Sequence, residues 1–362
     1  MSFFHGLLSA QDNKRDNNFT IIRILCAWLV LYGHSYALQN PTNMQDPLNL
    51  IFKGSNYIGG FAVDAFFIIS GYLVTASIVR QGVGSYFISR VLRVFPALIC
   101  CVLLSIFVLG WAVTALDSKA YFSNPKTFNY FINMVPFIDI QFFLPGVFEH
   151  NVEPAVNGSL WTLIVELRCY FLLMVAYMLG VFKTRKIANF FLFGLLLFGV
   201  FFYKDLPLLG KGVDIHWPAL SLFFLIGVIF YINREDIILD PKLAILSIIL
   251  IFLSFGADWF KFVFPIAFAY FIFYAAYSLP FFNADKKIGD ISYGIYIYAY
   301  PVQGLIAYLF PGLHPPGNTI AATIIVLPLA YISWHYIEKP ALSLKSRLSN
   351  LGFIAKINTF FR

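Results

Sequence analysis

From Phe19 onward the chain alternates long apolar runs with short polar breaks. The runs fall near 19–38, 57–79, 94–115, 159–181, 187–203, 216–232, 243–256, 261–280, 291–310 and 319–338. A helix needs roughly 20 apolar residues to cross a bilayer, so the pattern predicts an all-α polytopic membrane protein with about ten transmembrane helices. The seventh run is short. The aromatic stretch 128–148 reads as a re-entrant or interfacial segment. Residues 1–345 form one integral membrane domain, and 346–362 form a short basic tail.

Composition agrees with that pattern. Of 362 residues 60% are hydrophobic and 12% charged, with a mean hydropathy of +0.77. A soluble domain carries about 25% charged residues. The four cysteines lie within apolar runs, which argues against an exported disulfide framework. The first run has no A-x-A-like cleavage site and more spans follow it, so it is expected to stay in the membrane. Charge then sets the orientation. With the N-terminus inside, 17 of the 25 Lys and Arg residues fall in cytoplasmic segments. The outer loops hold Lys53, Lys119, Lys126, Lys204, Lys211 and Lys261, while Arg23 and Arg168 lie within spans. The positive-inside rule therefore predicts cytoplasmic N- and C-termini. The net charge of +7 reflects this inner-leaflet bias toward membrane lipid and predicts no nucleic-acid partner. The expected location is the plasma membrane, the inner one in a Gram-negative cell.

The candidate chemistry lies in the few polar residues within the spans. The first span, "FTIIRILCAWLVLYGHSYAL", carries Arg23 and His34, which are eleven residues apart. That spacing is within roughly 20° of three full turns and rises about 16 Å, so both project from one face. Arg23 could simply snorkel to the inner surface, whereas a deeper histidine reads as functional. Asp64 in "GGFAVDAFFIISGYLV" and Glu166 in "NGSLWTLIVELRCYF" each lie about seven residues from the outer end of their spans. Carboxylates at that depth could hold the His34 tautomer for general-base work, or all three could form a polar network that glues helices together. No span has metal-ligand spacing. In "GVGSYFISRVLRVFPAL", Arg90 and Arg93 share a helix face just before Pro96, which opens the third span. They could meet anionic lipid or clamp the phosphates of a cytosolic cofactor. Tyr296 and Tyr298 in "ISYGIYIYAYPVQ" are candidates to line a polar cavity, with Ser70 and Trp161. His5, His150, His216 and His314 sit in tails or loops, and His335 ends the tenth span beside Trp334 and Glu338.

Six stretches, in order, carry a resemblance: "RILCAWLVLYGHS", "FAVDAFFIISGYL", "SRVLRVFPAL", "SLWTLIVELRCYF", "ISYGIYIYAYP" and "ISWHYIEKP". Together they resemble membrane acyltransferase family 3, the O-acyltransferases that modify bacterial surface polysaccharides. The resemblance implies acyl transfer, most often of acetyl, from cytosolic acyl-CoA to a hydroxyl of a surface or lipid-linked glycan, with no permanently bound cofactor. It implies a catalytic role for His34, with Asp64 and Glu166 in the same functional core, and donor handling by Arg23, Arg90 and Arg93. Many members have a histidine where this chain has Ala299, and many append a hydrolase-like domain; a standalone transferase is expected here. The competing reading is a proton-coupled transporter or flippase using His34, Asp64 and Glu166, against which the lack of an internal repeat counts. The outer wall is expected from loops 39–56 and 116–158, where Tyr121, Phe122, Phe142 and Phe143 could stack on sugar rings.

Overall fold

The computed structural model describes residues 6–11, 16–39, 44–135, 139–202, 217–280, 287–350, 354 and 357–358. The sequence readings that involve His5, Lys14, Arg15, Lys204, Lys211, His216, Lys286, Lys356 and Arg362 lie outside the described residues, as does most of the tail beyond 350.

Ten helices fall on the ten apolar runs: α1 (Phe19–Leu38), α2 (Ile58–Gln81), α3 (Val83–Leu104), α4 (Leu160–Met178), α5 (Arg185–Phe202), α6 (Trp217–Ile232), α7 (Pro241–Ser254), α8 (Phe260–Ser278), α9 (Ser292–Leu309) and α10 (Pro315–Ser333). Six helical stretches are long and apolar enough to cross a membrane: Phe19–Leu38, Ile58–Gln81, Val83–Val113, Leu160–Met178, Phe260–Ser278 and Pro315–Ser349. The apolar parts of α6 and α7 are shorter than that measure. The molecule is thus a mostly helical membrane protein with six candidate spanning helices. The third span starts earlier than the sequence predicted. Pro96 does not open α3 but lies inside it, a position membrane helices tolerate because neighbouring groups satisfy the backbone that proline frees.

Small residues set the closest crossing. A Cβ on Gly71 of α2 would come within 2.0 Å of the Phe224 carbonyl of α6, and one on Gly227 within 2.1 Å of the Ile68 carbonyl. Reciprocal glycines let two backbones touch, which is how membrane helices pack without help from water. Polar contacts then tie helix ends together. At one end, Asn18 just before α1 donates to the carbonyls of Ala275, Leu279 and Pro280 at the close of α8, each at 3.2 Å. At the other, Gln303 of α9 donates to Leu31 O (2.8 Å) and Ser35 Oγ (2.7 Å) of α1, and Thr319 of α10 donates to Ser35 Oγ (2.8 Å). A two-residue antiparallel pairing joins β1 (Gly6–Leu7) to β2 (Ile238–Leu239) in the α6–α7 connection.

The loop after α3 forms short helices, Ser118–Ser123 and Pro125–Asn129, and a 3-10 turn, Tyr130–Met134. Tyr121 is fully buried and its hydroxyl donates to Ile106 O at 3.0 Å. It therefore cannot stack on a sugar, and Phe122 already stacks on Phe107. Phe143 of that expected set is exposed.

Candidate functional site

Two cavities lie inside the bundle, toward opposite ends of α1. The first, of about 330 Å³, is lined by Arg23, Ser70, Arg90, Arg93, Glu166 and Asp290 among others. Here the eleven-residue spacing has its structural meaning: Arg23 faces this cavity and His34 faces the second.

The arginine cavity is cross-braced. Asp290, two residues before α9, receives Arg23 at 2.6 Å and Arg93 at 2.8 Å on the same oxygen, Oδ2, while its Oδ1 accepts from Ser292 at 2.6 Å. Burial alone would raise the Asp290 carboxyl, but the two guanidinium groups and Ser292 outweigh it and hold it below the ordinary carboxylate range. The other arm of Arg93 meets Glu338 at 3.1 Å. Glu338 ends a π-helical turn, Trp334–Glu338, at the close of α10, and its other oxygen accepts from Ser333 at 3.1 Å. The wide turn also brings the Trp334 ring to 5.4 Å from Arg93, opposite Tyr293 at 5.8 Å. One buried ion network therefore joins α1, α3, α9 and the end of α10. On the far wall, Glu166 accepts from Ser70 at 2.9 Å and from the Tyr170 hydroxyl. The Arg90 guanidinium sits 5.7 Å over the Tyr170 ring, and its Nε is buried with no hydrogen-bond partner.

The histidine cavity is larger, about 680 Å³, and is sparsely paired. His34, Asn56, Tyr57, Asp64 and Trp161 line its polar side, while Leu220, Phe223 and Phe264 belong to an apolar side. His34 Nδ1 is buried without a partner, and its ring meets Tyr300 edge-on at 5.1 Å. Asp64 is buried and held by one long bond, 3.4 Å, from Asn56. Among the described residues no carboxylate is hydrogen-bonded to His34, in contrast to the carboxylate–imidazole contact expected from the sequence. Glycines shape the mouth: a Cβ on Gly59 would lie 2.4 Å from the Tyr57 ring and one on Gly60 2.2 Å from Asn56 Oδ1. Only glycine lets these two side chains fold back over the start of α2.

A thin partition divides the cavities. Val63, Thr162 and Tyr296 line both. The Tyr296 hydroxyl is hydrogen-bonded to Thr162 Oγ1 and lies 3.3 Å from Ser159 O, and Phe66 packs edge-on against its ring.

The residues singled out in the sequence thus divide. Arg23, Arg90, Arg93, Ser70 and Glu166 meet at one cavity, and His34, Asp64 and Trp161 at the other, with Tyr296 between them. Glu166 shares its depth in the helix with Asp64, yet its side chain lines the arginine cavity, bonded to Ser70 and Tyr170. Tyr298 lines neither cavity. It lies two residues from Tyr296, about 200° around the helix, and packs with Ala97, Cys101 and Ile297, its hydroxyl 3.5 Å from Ser333 Oγ. Asp290, Tyr170 and Tyr57 escaped sequence reasoning, although Asp290 opens the α9 segment at the same end as Arg23 and Arg93. Among the described residues no group of three or more His, Cys, Asp or Glu side chains could hold a metal ion.

Comparison with known proteins gives the arrangement a context. Residues 16–335 match the family model described as an acyltransferase domain. An O-acetyl transferase of Shigella phage Sf6 is 30% identical over 353 residues, covering 92% of this chain and 98% of the relative. Nodulation protein 10 of Rhizobium leguminosarum bv. viciae is 28% identical over 384 residues, covering 95% and 98%. No solved structure matches the chain.

Proposed function

The chain belongs to the acyltransferase family whose model spans residues 16–335, and from that premise we propose that it transfers an acyl group, acetyl in the first instance, from cytosolic acyl-CoA to a hydroxyl of a surface or lipid-linked glycan. The observation that carries the reading is the pair of cavities meeting at Tyr296 and Thr162. Acyl-CoA is polyanionic at one end and reactive at the other. Its phosphates suit the arginine cavity, and its thioester would lie toward the partition formed by Val63, Thr162 and Tyr296. The acceptor hydroxyl would enter from the histidine side, where Trp161 offers a face for a sugar ring and Asp64 an acceptor for its hydroxyls.

His34 takes the acceptor proton as the hydroxyl oxygen attacks the thioester carbonyl; the tetrahedral adduct collapses, the C–S bond breaks to leave the ester, and the imidazolium returns the proton to the departing thiolate, so that CoA leaves as its thiol. Asp64, in the same cavity, stabilises the imidazolium that results. Glu166 is assigned away from the chemistry. Bonded to Ser70 and Tyr170 beside Arg90, it is a positioning residue of the donor cavity. The acetyl choice leans on the O-acetyl transferase relative. The transporter reading has no comparable support.

The distribution of Lys and Arg supports a cytoplasmic position for the arginine cavity. Sealed vesicles of known orientation test the scheme: labelled acetyl-CoA on the cytoplasmic face should label a glycan confined to the opposite face. Labelling only when donor and acceptor share the cytoplasmic face would overturn it.

A further inference from the structure

Four cationic side chains line the arginine cavity: Arg23, Arg90, Arg93 and Lys345. Two of them are already neutralised. Arg23 is held by Asp290, and Arg93 bridges Asp290 and Glu338 with both arms of its guanidinium. Arg90 and Lys345 pair with no carboxylate among the described residues. Arg90 Nε is buried without any partner, and its flat face rests on Tyr170. Lys345 begins the short helix Lys345–Ser349, which packs against α3, the helix that carries Arg90.

An enclosed cation without a counter-ion is unfavourable, and an incoming anion relieves that cost. We infer that Arg90 and Lys345 form the phosphate subsite for the donor, and that Arg23 and Arg93 are positioning residues that hold α1, α3, α9 and the end of α10 in register. The inference rests on the acyl-CoA reading above. It divides the Arg90–Arg93 pair, which the sequence presents as one unit, and adds a lysine from beyond α10. The chemistry is complementary: a fixed guanidinium can take two phosphate oxygens in its plane, while a lysine supplies a mobile point charge. The partnered arginines are poor candidates, because a phosphate could reach them only by displacing Asp290 or Glu338.

Titration of coenzyme A onto the purified full chain in detergent, alongside thermal unfolding of each variant, separates the roles. Arg90→Ala and Lys345→Ala should each weaken coenzyme A binding about tenfold or more, as expected for one charge-assisted bond, with the melting midpoint unchanged. Arg93→Lys keeps the charge but cannot bridge two carboxylates; it should lower the midpoint and leave the affinity of the folded fraction near the wild-type value. Asp290→Asn should lower the midpoint likewise, without raising affinity, although it releases Arg23 and Arg93. A Lys345→Ala variant that binds like the wild type overturns the inference. So does an Arg93→Lys variant that loses affinity at an unchanged midpoint, or an Asp290→Asn variant that binds more tightly. Wild-type protein that acylates glycan yet binds no coenzyme A overturns the donor reading itself, and the subsite with it.

Discussion

The two cavities sit on the same helices but are built in opposite ways. Around the arginine cavity a braced frame surrounds two unpaired cations: Asp290 and Glu338 brace Arg23 and Arg93, and Ser70 and Tyr170 brace Glu166, while Arg90 and Lys345 meet no carboxylate among the described residues. Around the histidine cavity His34 and Asp64 are almost unsupported, with His34 Nδ1 unpartnered and Asp64 on one long bond. The difference fits the proposed function. A site that is to grip a polyanion gains from a frame that holds its free cations in place beforehand, since less ordering cost then falls on the moment of binding. A base that accepts a proton needs an uncommitted lone pair, and a saturated hydrogen-bond set would remove it. Stability and chemistry are therefore concentrated at different ends of one bundle.

The largest effect should come from the unsupported end. His34→Ala should reduce acyl transfer by about 10²–10⁴-fold, the usual share of general acid–base catalysis, while the melting midpoint and coenzyme A affinity stay close to wild type. The rate is read from radiolabelled acetyl transfer by purified protein. A variant with near-normal turnover would make His34 a packing residue against Tyr300 and erase the contrast.

The braced end should answer in stability instead. Arg93→Ala leaves the buried Glu338 carboxylate with Ser333 alone and takes one of two guanidinium partners from Asp290, and removing one partner of a buried ion pair costs about 3–5 kcal/mol. Chemical unfolding in mixed micelles, compared with Arg93→Ala/Glu338→Gln, would show whether relieving one carboxylate recovers part of the loss. Equal stability of wild type and Arg93→Ala would mean that the ion network is ornamental.

The sequence made much of this legible, and the remainder was hidden for a physical reason. Helix positions follow from apolar run length, and all ten runs coincide with helices. The Arg23–His34 face follows from helical period alone. Depth along a helix can likewise be counted, which is why Asp64 and Glu166 looked equivalent. Azimuth relative to a neighbour cannot be counted, because it depends on packing that begins at contacts such as Gly71 against Phe224. Glu166 lines the arginine cavity and Tyr298 packs with Cys101 for that reason. The ion network was hidden similarly: Asp290 and Glu338 lie 197 and 245 residues from Arg93, and nothing local marks them as its partners. A tally of charges at each helix end, however, would have brought Arg23, Arg93 and Asp290 together.

The partition offers a smaller, sharper test. Tyr296→Phe removes the hydroxyl shared with Thr162 and leaves the ring in place. One hydrogen bond is worth about 0.5–1.5 kcal/mol, so the partition should open to water more often by roughly two- to tenfold. Acetyl-CoA hydrolysis without acceptor should rise relative to transfer by that factor. An unchanged ratio would mean that the hydroxyl does not separate the two cavities.

The smallest effect concerns pH and belongs to the braced end alone. The Asp290 carboxyl is held below its ordinary range by Arg23 and Arg93 against the opposing effect of burial. A group whose folded pKa is depressed contributes stability that is fully present above its unfolded pKa, about 3.9 for aspartate, and that is lost as pH falls through the folded value. Wild type and Asp290→Asn should therefore differ at neutrality, and the contribution of the Asp290 carboxyl itself to that gap should narrow only below about pH 4. The Asp290 carboxyl stays ionised well above that range, so turnover near neutrality should show no trace of its titration. Thermal unfolding of both proteins across that range measures the gap. A gap that widens on acidification would reverse the sign, and would mean that Asp290 is stabilised in its protonated form and does not brace the two arginines.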